Sequence, residues 1–169
     1  MSVTIRRLCR AIALATLFSL TSAVAETKAK VYPLTPVDKR YIEQQRERVD
    51  NIARSELGRQ LSQNKQTNLE ILQTLLDRRL IKPDQTLELQ AMGAVLGNEL
   101  AREMSMHWVI VEDRYGRSRA LQLDTNENFL FPMTMISRRV EAGAKVSVQS
   151  IYDKAVGIIT PLRKPMPFQ

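Results

Sequence analysis

The stretch His107-Trp-Val-Ile-Val-Glu-Asp-Arg-Tyr-Gly-Arg-Ser-Arg-Ala-Leu-Gln-Leu-Asp124 decides the fold. Its first part, His107 to Glu112, is dense in aromatic and β-branched residues, which fit a pleated, half-buried surface. Its last part, Arg119 to Asp124, alternates, with Leu121 and Leu123 on one side and Gln122 on the other. Between them Asp113-Arg-Tyr-Gly-Arg117 reads as a turn in which Gly116 can take a positive φ. An antiparallel β-hairpin is therefore predicted here. Asp124-Thr-Asn-Glu-Asn128 is a second turn cluster, and Phe129-Leu130-Phe131 can add a short third strand.

Upstream the hydrophobic period is helical. Pro36 to Leu57 holds no internal Pro or Gly, and Gly58 supplies a stop signal. Val49, Ile52, Ala53 and Leu57 form a narrow stripe, while Glu43-Gln-Gln-Arg-Glu-Arg48 is polar on nearly every side, as a solvated face should be. Thr67 and Glu70 make a capping-box pair for a second helix with Leu69, Leu72, Leu76 and Leu80, ended near Ile81 by Pro83. Asp84 is placed to cap a third helix reaching about Met104. On it Gly93, Gly97 and Ala101 recur every four residues. Each helical glycine costs about 1 kcal/mol relative to Ala, so a close approach of another backbone is expected on that side.

Downstream, Pro132 suits the first turn of a fourth helix that contains Ile136 and Val140 and stops at Gly143. Ser147 is positioned to cap a fifth, with Val148, Ile151, Tyr152, Ala155 and Ile159 on one face and Pro161 after it. The fold class predicted is α+β: three N-terminal helices, a small antiparallel sheet built on the hairpin, and two C-terminal helices. Residues 36–160 make one domain, preceded by an extended basic leader at 26–35 and followed by a loose tail at 161–169.

The N-terminus reads as an address. Arg6, Arg7 and Arg10 precede the uncharged, mostly apolar run Ala11 to Leu20, and Ala23-Val24-Ala25 offers small residues at a cleavage site. That is the order of a secretory signal peptide over 1–25, and the apolar run is too short to cross about 30 Å of hydrocarbon. The residues around Arg6-Arg7 favour general secretion over the twin-arginine route. Cleavage after Ala25 would remove the single Cys9 and three of the 25 basic residues while all 18 acidic ones stay, lowering the formal charge from +7 to +4. A periplasmic or secreted protein without a transmembrane segment is expected.

Three segments in order carry a resemblance: Leu89-Gln-Ala-Met-Gly-Ala-Val-Leu-Gly97, Trp108-Val-Ile-Val-Glu-Asp-Arg-Tyr-Gly116, and Phe131-Pro-Met-Thr-Met-Ile-Ser-Arg-Arg139. Together they resemble a bacterial family known as domain of unknown function 3806, over roughly Asp77 to Ile159. The resemblance supports the domain assignment and supplies no catalytic residue.

The residue inventory narrows the chemistry. One His and one Cys in 169 residues leave no histidine- or sulfur-rich metal site, and Asp124 to Asn128 lacks the glycine and distal Glu of a calcium loop. No metal and no cofactor is expected. No serine sits in a nucleophile elbow, and His107 is expected to flank the strand start with Trp108 in the core. The basic charge is spread rather than striped, which argues against nucleic acid. Paired carboxylates could serve glycan hydrolysis, with Glu99, Glu112 and Asp113 as candidate acid and base. More simply, Glu99 and Glu103 form a solvent face, and Glu112 and Asp113 close the strand and turn. The favoured surface joins the hairpin to the fourth helix: Asp113, Tyr115, Arg117, Arg119, Arg138 and Arg139, of the types that dominate binding hot spots. The leading expectation is a non-enzymatic binding module of the envelope, its partner an envelope protein or cell-wall polymer. A small cell-envelope hydrolase is the alternative.

Overall fold

The computed structural model describes residues 29–125 and 127–163. The signal peptide expected at 1–25 and the last six residues of the tail lie outside them. The elements in order are β1 (Lys30–Pro33), α1 (Pro36–Leu57), α2 (Lys65–Asp77), α3 (Thr86–Met104), β2 (His107–Asp113), β3 (Gly116–Gln122), β4 (Phe129–Leu130), α4 (Met133–Glu141) and α5 (Val148–Ile159), closed by a 3₁₀ turn at Thr160–Leu162. The strands form one antiparallel sheet in the order β1-β2-β3-β4. The α+β class and the helix–sheet–helix arrangement are as the hydrophobic periods predict. Among the described residues no helix is long and apolar enough to cross a membrane.

Within the leader, the stretch Lys30 to Pro33 is extended, but it is also paired. Lys30 to Pro33 run antiparallel to Glu112 to Val109, all four residues exposed, so the segment is an edge strand of the sheet. Pro33 is tolerated at the end of an edge strand because its missing N–H breaks no interior ladder.

Helix α1 starts where Thr35 caps it. The Thr35 hydroxyl accepts from the Asp38 backbone N–H at 3.2 Å, and the Asp38 carboxylate accepts from the Thr35 backbone at 3.3 Å. It ends at Gly58, whose φ of 62° is left-handed. For α2 the expected Thr67–Glu70 box is not the cap. Asn64 takes that place one turn earlier, accepting from the Thr67 N–H at 3.0 Å, and Asn outranks Thr as a cap. The helix also stops at Asp77, before Pro83 can act, with Arg79 at a φ of 55°. Gln85 rather than Asp84 stands at the N-cap of α3.

Helix α3 is the centre of the molecule. It packs against α1, α2, α4 and α5, and Leu89, Met92, Val95, Leu96, Leu100 and Met104 are all buried. Its glycines do what their spacing implies. A Cβ on Gly93 would lie 2.5 Å from the Pro132 carbonyl oxygen, and one on Gly97 would lie 2.5 Å from the Trp108 ring. The backbone entering α4 and the indole of β2 therefore sit directly on α3. Trp108 Nε1 donates to Asn98 Oδ1 at 2.9 Å, which satisfies the indole N–H in a half-buried place.

The hairpin is tighter than the five-residue turn expected, with Asp113 opposite Gly116 and only Arg114 and Tyr115 between. Strand β3 thus begins at Gly116 instead of Arg119. Side chains alternate along a strand, so Arg117, Arg119 and Leu121 share a face. Leu121 belongs to the helical core, and that fixes the two arginines on the helix side of the sheet.

Candidate functional site

That placement builds the site. Arg117 and Arg119 point at the first turn of α1, where Asp38 is buried at 1% exposure. Arg117 donates to Asp38 through two nitrogens, at 3.2 and 2.7 Å, and Arg119 Nη2 adds a bond at 2.9 Å. The Thr35 hydroxyl donates a further bond at 2.7 Å. The Arg117 guanidinium, followed by these Thr35 bonds, outweighs burial and holds the Asp38 carboxyl well below the usual carboxylate range. Asp38 in turn pushes the Arg117 guanidinium upward. One carboxylate therefore closes the cap of α1 and ties it to β3 across about eighty residues of chain.

Arg119 is further fixed by Tyr41, one turn along α1, with its guanidinium 3.9 Å from the ring centroid. At the turn, Asp113 Oδ1 accepts from the Tyr115 N–H at 2.7 Å, and Arg114 stacks on the Tyr115 ring while donating to its hydroxyl at 2.6 Å. Tyr115 stays 82% exposed, but it is oriented.

Between the hairpin, α1, α3 and α4 lies a cleft of about 520 Å³. Asp113, Tyr115, Arg117, Arg119 and Arg138 line it, together with Tyr41, Gln90, Ser118, Phe131, Met133 and Thr134. Five of the six residues predicted to bind are thus brought together. Arg139 is not among them; it turns along α4 and donates to the Met135 carbonyl. Arg138 is exposed and forms no ion pair among the described residues. Sequence reasoning missed Asp38, Tyr41 and Gln90, because nothing local says that α1 and α3 face the hairpin.

The carboxylates of the hydrolase reading do not converge. Asp113 lines the cleft, whereas Glu112 is exposed beside it and is not part of the lining. Glu99 is buried, not solvent-facing as expected: it accepts from Asn68 Nδ2 at 2.7 Å and pairs with Arg102. The reason is the central position of α3, which leaves this side of the helix covered by α2. Glu103 is exposed as expected and pairs with Lys65 at 2.6 Å, and Lys65 holds its carboxyl below the usual range. Burial, then the neighbouring Glu103 carboxylate, pushes the Tyr152 phenol upward. His107 is exposed at the start of β2, and no group of three or more His, Cys, Asp or Glu suited to a metal occurs among the described residues.

Residues 68–152 match the family described as "Domain of unknown function (DUF3806)". A search of curated proteins returns no match. A crystal structure from Bacteroides thetaiotaomicron VPI-5482, at 1.50 Å resolution, is similar in fold, with a TM-score of 0.70 at 22% identity. The match covers 78% of this chain and 48% of that one, so the chain spans about half the length of its structural neighbour.

Proposed function

The chain belongs to the DUF3806 family, and from that premise we propose that it is an exported protein of the bacterial envelope acting as a non-enzymatic binding module. The observation that carries the reading is the hairpin cleft, where an oriented, 82% exposed Tyr115 and an exposed Arg138, unpaired among the described residues, flank two arginines fixed by Asp38. Tyr and Arg held rigid before a partner arrives lose little conformational entropy on binding, which is why they serve as anchors. Export is supported by the basic, apolar and small-residue order of residues 6–25. The hydrolase reading is the weaker one, because Glu99 is committed to Asn68 and Arg102 and does not line the cleft with Asp113.

Cell fractionation with N-terminal sequencing tests the location, the expected first residue of the processed chain being Glu26. Pull-downs from envelope extract test the cleft. Tyr115→Ala and Arg138→Ala alter exposed side chains, so the fold should persist while partner capture falls at least tenfold. An unchanged partner set would remove the cleft from the proposal.

A further inference from the structure

The charges and hydrogen-bonding groups of the cleft say more about its occupant. This step rests on the binding-module reading. Three guanidiniums, Arg117, Arg119 and Arg138, face or line the cleft, against the carboxylates of Asp38 and Asp113. Among the groups that line the cleft, with Asp38 behind them, one positive charge is left in excess, and Arg138, at the exposed wall on α4, forms no ion pair among the described residues. Asp113 uses Oδ1 to receive the Tyr115 N–H, which leaves Oδ2 able to accept a donor from a ligand. Gln90 and Ser118 add amide and hydroxyl groups to the lining. Phe131, at 38% exposure, and Met133 supply an apolar floor beside Tyr115.

We infer that the cleft recognises the free carboxylate end of a short peptide, with the carboxylate on Arg138 and the arginine wall, an N–H of the peptide on Asp113, and an apolar side chain against Phe131 and Met133. Planar guanidinium forks match a carboxylate in two parallel bonds, which favours arginine for this task. A single excess charge suits a monoanion. A phosphate, at roughly −1.5 to −2 near neutral pH, would meet Asp113 with charge uncompensated.

The test uses the full chain, immobilised, and a random tripeptide library in two forms: one with free C-terminal carboxylates, the other amidated. Retained peptides are quantified by mass spectrometry. The free-acid form should be retained at least tenfold more than the amide, and Arg138→Gln should erase the difference while leaving the thermal melt unchanged. Inorganic phosphate at millimolar concentration should not displace the retained acids. Equal retention of both forms, retention of neither, a preference that survives Arg138→Gln, or ready displacement by phosphate would each overturn the assignment. If the carboxylate preference is absent while envelope capture still depends on Tyr115, the peptide-end inference falls and the binding module stands. If that dependence is lost as well, both fall.

Discussion

The Arg119 guanidinium lies 3.9 Å from the centroid of the Tyr41 ring, so a residue of β3 sits over an aromatic face of α1. The same guanidinium donates through Nη2 to Asp38 at 2.9 Å. A cation over an aromatic face at a partly exposed site is worth about 0.5–1 kcal/mol. Tyr41→Leu should therefore lower stability by about that amount, and Tyr41→Phe, which keeps the face, should cost almost nothing. Urea denaturation of the two variants separates them. Equal losses would show that the tyrosine hydroxyl, not the ring, matters.

Asp38 makes the fold acid-sensitive in a predictable direction. Its folded carboxyl is held below its ordinary value of 3.8, chiefly by Arg117 and then by Thr35. A carboxyl depressed on folding contributes stability that is complete above the unfolded value. It decays as pH falls from about 4 toward the lower folded value. Asp38→Asn removes this contribution and weakens the α1 cap, for a loss of about 2 kcal/mol at pH 7. The gap between wild type and variant should then shrink as pH drops below about 4. Melting curves from pH 7 to pH 2.5 read this out, and a gap that stays constant would contradict the assignment.

How far the sequence could be read follows from the range of each interaction. The apolar face of α5 was legible residue by residue: Val148, Ile151, Tyr152, Ala155 and Ile159 are all buried, and the Ser147 side chain accepts from the Ser150 N–H as its cap chemistry requires. Hairpin and glycine groove were legible for the same reason, since period and turn chemistry are local. Asp38 was not. As the third residue of α1 it reads only as a favourable acid near a helix N-terminus, and its pairing with Arg117 depends on which helix faces the sheet. The extended character of Lys30 to Pro33 was readable, but its strand partner, some eighty residues away, was not. Glu99 misled because a carboxylate one turn from Glu103 looks like a surface pair. The better signal was the small and apolar residues spread round the whole circumference of α3, which mark a central helix.

Glu99 consequently offers a clean separation between structural and chemical roles. Its carboxylate joins Asn68 of α2 to Arg102, and Asn68 also holds the connector through the Ser62 N–H and carbonyl, each at 2.9 Å. Glu99→Gln should cost about 1–3 kcal/mol, because a buried charge-assisted bond is replaced by a neutral one. Peptide retention by the cleft should be unaffected at temperatures well below the melt. A variant with native stability would show that the negative charge on Glu99 adds nothing to its contacts with Asn68 and Arg102.

Three helical glycines give substitutions of opposite sign from the same chemistry. Replacing Gly by Ala inside a helix gains about 1 kcal/mol from propensity alone. At Gly157 on α5 a new Cβ meets nothing within 4 Å, so Gly157→Ala should raise stability by roughly that amount. At Gly93 the Cβ would press on backbone, 2.5 Å from the Pro132 carbonyl oxygen and 2.7 Å from the Met133 Cα, and backbone cannot rotate aside. Forced separation of α3 from α4 should reverse the sign, with a net loss of about 1–3 kcal/mol or more. Gly97→Ala lies between them, because the Trp108 ring at 2.5 Å is a side chain but one tied by its N–H to Asn98. Guanidinium denaturation of the three single variants should rank them Gly157→Ala, then Gly97→Ala, then Gly93→Ala. A Gly93→Ala protein as stable as Gly157→Ala would mean that α4 does not rest on the α3 backbone.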